Sequence, residues 1–301
     1  MTTNVFADLF DRDGRRRLSH ALQYGALVAV AWLLARLGVD RASALMGRAW
    51  RLFAPFNARH ARADGHLASA FPEWSAEKRR EVLGDMWENL GRTAAETILL
   101  PQLLAEPDRI LWKDHDGIIE KALGGAFFVS LHSGNWEVVS VPLANAGVDL
   151  RAVYKPLRNP AVERWLVERR RALYGDGLWP LDRTIAVKMM NAAKSGATLA
   201  VLGDLRDDTR ITVSFFGRDA HANPFPAMLA RRLGLPMVLA RTIRRDGARF
   251  EIDAVEIPVA RTDDQKADIQ ATTQAIHDVF ERWIREYPAQ WMWAHRKWWG
   301  T

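Results

Sequence analysis

The chain has 301 residues, 49% of them hydrophobic and 26% charged, with 20 Gly and 13 Pro, so it can build its own core and is neither disordered nor fibrous. It has no cysteine, which excludes a disulfide scaffold, a zinc-thiolate site and a thiol nucleophile. A formal charge of +6 suits anionic partners such as nucleic acid, an acidic lipid surface or an acidic carrier protein, and 13 Trp beside 4 Tyr tilt that choice toward a membrane interface.

In chain order, residues 21–35 form a nearly charge-free run after Arg15, Arg16 and Arg17 and before Arg36. A full membrane span needs about 20 apolar residues, a length reached only if the run continues through Leu37, Gly38 and Val39. Residues 1–40 are therefore expected to be a membrane-associating helix, either spanning the bilayer or lying in its interface. Residues 41–53 and 75–98 read as helices, the second opening at Ser75 with Glu77 and Glu81 in its early turns. Together they make 41–110 a helical lead-in.

From there to residue 301 the pattern changes. Short apolar runs at 126–131, 150–154, 198–202, 211–216, 237–243 and 250–257 alternate with amphipathic stretches at 135–147, 160–173, 184–194, 224–233 and 265–286. This alternation predicts an α/β fold, a mixed β-sheet flanked by helices, and Arg245-Asp246-Gly247 predicts an antiparallel hairpin between the last two strands. Residues 41–301 then form one domain.

No GxGxxG, P-loop, GxSxG or HExxH motif is present. The chemistry-bearing segment is Phe127-Phe128-Val129-Ser130-Leu131-His132-Ser133-Gly134-Asn135-Trp136-Glu137. A buried strand ending at Leu131 places His132 at the carboxyl edge of the sheet, where α/β proteins bind ligands. Gly134 permits a tight turn, Asn135 can start the next helix, and Glu137 falls in its first turn. On one continuous helix His132 and Glu137 would lie about 140° apart, but across a turn they can meet. The carboxylate would fix the imidazole tautomer while the other ring nitrogen takes a proton from a substrate hydroxyl.

These residues carry a resemblance. His132 to Glu137, in the context His-x-Gly-Asn-Trp-Glu, resembles the H-x4-D/E motif of the bacterial lipid A biosynthesis acyltransferases (lauroyl and myristoyl acyltransferases), within the lysophospholipid acyltransferase superfamily. The similarity continues through Leu67 to Glu73, Asn89-Leu90-Gly91-Arg92 with Glu96, Tyr154-Lys155-Pro156 with Asn159-Pro160, Arg170 or Arg171, Phe215-Phe216-Gly217, and the stretch from Pro288 to Trp298. It implies a glycerolipid acyltransferase-like fold and an enzyme that moves a fatty acyl chain from acyl-acyl carrier protein or acyl-coenzyme A to a hydroxyl of a Kdo-lipid IVA-type lipid A precursor. That places the protein in lipopolysaccharide biosynthesis, at the cytoplasmic face of the inner membrane, with no cofactor or metal and no nucleic acid. His132 would be the general base and Glu137 its partner, with the amides of Gly134 and Asn135 at a helix N-terminus stabilising the oxyanion.

Other candidates concern the substrates. Arg169, Arg170 and Arg171 point three ways on a helix, so one of them, Arg170 or Arg171, can face the cleft and bind a phosphate. Asp204 follows a strand and can orient a sugar hydroxyl or an arginine, and Tyr154 and Asn159 belong to the implied substrate site. The family's usual Asp-Gln reads Asp204-Leu205 here, and its Ala-x-Thr reads Ala220-His221-Ala222. Two alternatives follow: transfer to another glycolipid such as a phosphatidylinositol mannoside, and a basic membrane-binding protein without catalysis. Phe215-Phe216-Gly217 reads as packing plus a turn, His295 as a structural histidine, and Trp291, Trp293, Trp298 and Trp299 as either core cover or a membrane rim.

Overall fold

A computed structural model describes residues 12–207 and 211–298; Trp299 and the first eleven residues of the expected membrane segment lie outside them. Helix α1 (Arg12–Phe53) is followed by α2 (Arg59–Ala70), α3 (Ala76–Ile98) and α4 (Leu100–Leu104). Strand β1 (Ile110–Trp112), helix α5 (Ile118–Leu123), strand β2 (Phe127–Ser130) and helix α6 (Val141–Asn145) come next. Then follow β3 (Leu150–Tyr154), α7 (Pro160–Tyr174), β4 (Leu178–Pro180), α8 (Ile185–Lys194) and β5 (Thr198–Leu202). The chain continues through β6 (Ile211–Phe215), β7 (Arg218–Ala222), α9 (Phe225–Leu233), β8 (Met237–Arg244), β9 (Phe250–Ile257) and α10 (Gln265–Glu286).

The sheet is mixed, as expected, with the order β1-β9-β8-β2-β5-β3-β4. All neighbours run parallel except β8 and β9, which form the hairpin expected at residues 245–247. Strand β2 lies between β8 and β5, and all four of its residues are buried, as an inner strand covered on both faces requires. Phe127, Val129, Leu199 and Leu239 face a core completed by α2, α3, α8, α9 and α10, while Phe128, Leu150, Val238 and Ala240 face one completed by α5 and α6. The stretch 211–216 departs from expectation: it makes β6 of a separate two-stranded hairpin with β7, turning at Phe216 (φ 54) and Gly217 (φ 67).

Helix α1 runs through the expected boundary at residue 40, departing from helical geometry at Gly38 (φ 74, ψ 166). Its first half exposes Leu18, Leu22, Trp32 and Leu33, and the segment is long and apolar enough to cross a membrane, with 17% of its most apolar window buried. Its second half packs on α3 through Ala42 and Ser43, both fully buried. The backbones meet closely there, since a Cβ on Gly91 would lie 2.5 Å from the Met46 carbonyl oxygen. The ends of the long helices follow sequence: Ser75 caps α3 by accepting from the Lys78 amide, and Asp264 caps α10 by accepting from the Lys266 and Ala267 amides.

Candidate active site

His132 stands where the chain leaves β2. Its ring Nδ1 lies 2.8 Å from Oδ1 of Asp204 and its amide donates to Oδ2 at 3.0 Å. The Trp291 indole N–H donates to the same Oδ2 at 2.8 Å. A carboxylate only accepts, so Nδ1 carries the proton and Nε2 is left basic. Asp204 is 1% exposed. Burial pushes its carboxyl up, but the His132 charge, together with hydrogen bonds from the His132 ring, the Trp291 indole and the His132 amide, outweighs burial and holds it well below the usual carboxylate range. Asp204 is thus the carboxylate on His132, a place the sequence reading gives to Glu137. Parallel register was the signal that could have found it: Ser130 pairs with Leu202, so the residues two positions past each strand end are neighbours.

The turn after His132 is built by tertiary contacts rather than by a helix. Gly134 sits at φ 58, and a Cβ there would overlap the Thr242 carbonyl. Its amide donates to the Gln290 carbonyl at 3.0 Å, and its carbonyl accepts from Asn89 Nδ2 and Thr93 Oγ1, each at 3.0 Å. Asn135 Nδ2 donates to Glu96, a fully buried carboxylate that also accepts from Arg244 and Ser43. The expected helix at 135–147 is therefore confined to Val141–Asn145, because these side-chain partners fix residues 134–137 in other conformations. With its amide committed to Gln290, Gly134 is not a free oxyanion donor, and neither it nor Asn135 stands at a helix N-terminus.

Glu137 meets an arginine. Arg170 Nε and Nη2 donate to its two oxygens at 2.7 and 2.6 Å, a bidentate pair at the cavity wall. Arg171 instead points to solvent, 59% exposed beside Glu168 and Asp176, and Arg169 lies over the Trp165 ring and donates to the Ile98 carbonyl. Of the two arginines considered for the cleft, Arg170 faces it and Arg171 does not. Tyr154 lines the cavity, donating its hydroxyl to Glu163 at 2.9 Å; burial first, then Glu163, pushes it up to about 12. Asn159 is a helix cap: its oxygen accepts from the Ala161 and Val162 amides and its Nδ2 donates to the His20 carbonyl, tying α7 to α1 rather than facing substrate.

These residues border a cavity of about 730 Å³ that His132 and Trp136 share with Phe128, Val153, Val167, Met189 and Phe225. Lys155 and Arg206 also line it. Phe215 and Phe216 are outside it, buried in an aromatic cluster with Phe71, Trp291, Trp293 and Trp298, which makes those tryptophans core cover rather than a membrane rim. His295 lies 5.7 Å from His132, centroid to centroid, and burial with the charge of His132 pushes it down to about 4.

Residues 12–299 match the sequence profile of the family described as bacterial lipid A biosynthesis acyltransferase. The chain belongs to this family. It is 24% identical over 283 residues to the lipid A biosynthesis lauroyltransferase of Escherichia coli (strain K12), covering 90% of this chain and 89% of that protein. It is also 28% identical over 180 residues to the phosphatidylinositol mannoside acyltransferase of Mycolicibacterium smegmatis, covering 58% of this chain and only 57% of that protein. Its counterpart of the same name in Mycobacterium tuberculosis (strain ATCC 25618 / H37Rv) is 25% identical over 224 residues, 70% of this chain and 68% of that protein. The family and these relatives are acyltransferases, in accord with a basic imidazole beside an apolar cavity.

Proposed function

We propose that this protein transfers a fatty acyl group from a thioester, acyl-acyl carrier protein or acyl-coenzyme A, to a hydroxyl of a lipid A precursor at the cytoplasmic face of the inner membrane. The observation that carries this reading is the His132–Asp204 pair opening onto the apolar cavity. The cavity's size falls in the range of small-molecule sites. Nε2 of His132 takes the proton of the acceptor hydroxyl as its oxygen attacks the thioester carbonyl. The tetrahedral intermediate collapses, the carbon–sulfur bond breaks, and the thiolate leaves with the proton from the imidazolium. Asp204 holds the tautomer and balances the imidazolium charge.

Neither amide considered for the oxyanion is open to the cavity: Gly134 donates to Gln290, and Asn135 is fully buried away from the cavity lining. Glu137 works through Arg170, whose fork it occupies. An acceptor phosphate then meets Lys155 at the cavity wall before it meets Arg170. The charge of +6 is consistent with docking an acidic carrier protein and with an anionic leaflet. The exposed apolar half of α1 supports membrane association.

The mycobacterial relatives favour a second reading in which the acceptor is a phosphatidylinositol mannoside. Purified protein, a labelled acyl thioester and each acceptor in turn decide between them. Label is expected in the Kdo-bearing lipid A precursor; label in the mannoside instead selects the second reading, and label in neither removes both.

A further inference from the structure

The cavity straddles the sheet. Successive residues of a strand face opposite sides, yet Ala152 and Val153 of β3 and Ala200 and Val201 of β5 all line it. It therefore passes over the carboxyl edge of the sheet, where His132 and Gly203 stand, and runs down both faces.

On one face Phe128, Ala200 and Ala152 floor an arm roofed by Val139 and Leu143, with Val167 of α7 beside it. On the other face Val153 and Val201 look onto Ile185 and Met189 of α8 and Phe225 of α9. Phe128 and Leu143 belong to one core of the protein and Ile185 and Met189 to another, so the sheet itself is the wall between the two arms.

Two arms that meet at one base suit two chains. A fatty acyl group and a lipid acceptor each carry hydrocarbon that must stay out of water while their polar ends react. The arms differ in what they offer. The α7 arm carries the Arg170–Glu137 and Tyr154–Glu163 pairs, groups that exchange hydrogen bonds with a sugar or a phosphate. Helix α7 is also tied to the apolar half of α1, where Asn159 donates to the His20 carbonyl at 2.8 Å between the exposed Leu18 and Leu22. This is the arm on the lipid side. The α8 arm is walled by aliphatic and aromatic groups and lies across the sheet from α7, as suits an unsubstituted chain delivered by a soluble carrier.

We infer that the α8 arm holds the acyl chain of the thioester and the α7 arm a hydrocarbon chain of the lipid acceptor, so that both substrates occupy the site together and their reacting ends meet at His132. This rests on the reading of the cavity as the acyl-transfer site.

The test is equilibrium binding to the full-length protein in detergent. The probes are S-dodecyl-coenzyme A, a thioether with no carbonyl to transfer, and the Kdo-bearing lipid A precursor without a donor. In the wild type neither probe should displace the other. Ala200→Phe puts a ring into the α7 arm and Val201→Phe puts one into the α8 arm, from neighbouring positions of one strand. Each buried methylene is worth about fourfold in affinity, so a ring that excludes two of them costs about tenfold or more. Ala200→Phe should weaken the precursor by that factor and leave the thioether unchanged, and Val201→Phe should do the reverse. Ala152→Phe and Val153→Phe repeat the pair on β3, in case a β5 variant does not fold. Displacement of one probe by the other in the wild type, or weakening of the same probe by both variants of a pair, overturns the inference and leaves the acyl-transfer site standing. The opposite assignment, or unchanged binding in all four variants, overturns it too. Binding of neither probe to the wild type overturns the inference together with the reading on which it rests.

Discussion

An imidazole acting as a base needs its far nitrogen held, and in His132 the group that holds it is Asp204. Asp204→Asn keeps the shape but cannot balance an imidazolium, so kcat should fall about 10²-fold or more, close to the loss in His132→Ala. Glu137→Gln should fall less, because Glu137 reaches the centre only through Arg170. Steady-state kinetics of the three variants check this order. The arginines separate in the same way. Arg171→Ala should leave acceptor kinetics unchanged, since its side chain stands in solvent. Arg170→Ala strands Glu137 as a buried, unpaired carboxylate, costing on the order of 3 kcal/mol of stability. Thermal melting should show that loss, and adding Glu137→Gln to Arg170→Ala should recover part of it. The position of His132 at a strand end was legible in the sequence because an apolar run ended beside it. Its partner was not, because the nearest acidic residue in sequence is not the nearest in a parallel sheet, where Leu202 pairs with Ser130 and brings Asp204 alongside His132.

The elements with strong local signals matched expectation. Strands β3, β5 and β9 and helix α10 end where hydrophobic pattern and caps placed them. The stretch 135–147 did not, since Asn135, Gly134 and Glu137 each take a tertiary partner that no local pattern encodes. The short β1 and β4 escaped for a related reason: three residues carry no periodicity. At this scale α1 offers the clearest test. Its packing on α3 depends on Gly91, where a methyl group would press on the Met46 carbonyl and the Trp50 side chain. Gly91→Ala should therefore lower stability by about 1–3 kcal/mol despite alanine's better helix propensity. Melting in detergent measures it, and an unchanged midpoint would mean that the two helices do not approach so closely.

For the whole molecule, acid is the natural stress. Burial and the nearby Lys297 charge push His277 down to about 3, and burial with the His132 charge pushes His295 down to about 4. Both histidines have an ordinary value near 6.5, so between that value and their depressed ones the unfolded chain binds protons that the folded chain does not. Stability should thus be full above about pH 6.5 and decline as pH falls toward 4, by about 1.4 kcal/mol per pH unit for each histidine. His277→Gln, which does not titrate, should flatten the decline in a melting series from pH 7 to pH 4.5. Alternating apolar runs made the α/β architecture legible, because the sheet's inner strands are buried on both faces. The detached β6–β7 hairpin was not, since its strands read like any others until their pairing is known. What the molecule does is tested most directly by mass spectrometry of lipid A from cells lacking this protein. The account predicts a lipid A lighter by one acyl group, restored by the wild-type chain and not by His132→Ala; an unaltered lipid A, or full restoration by His132→Ala, would contradict it.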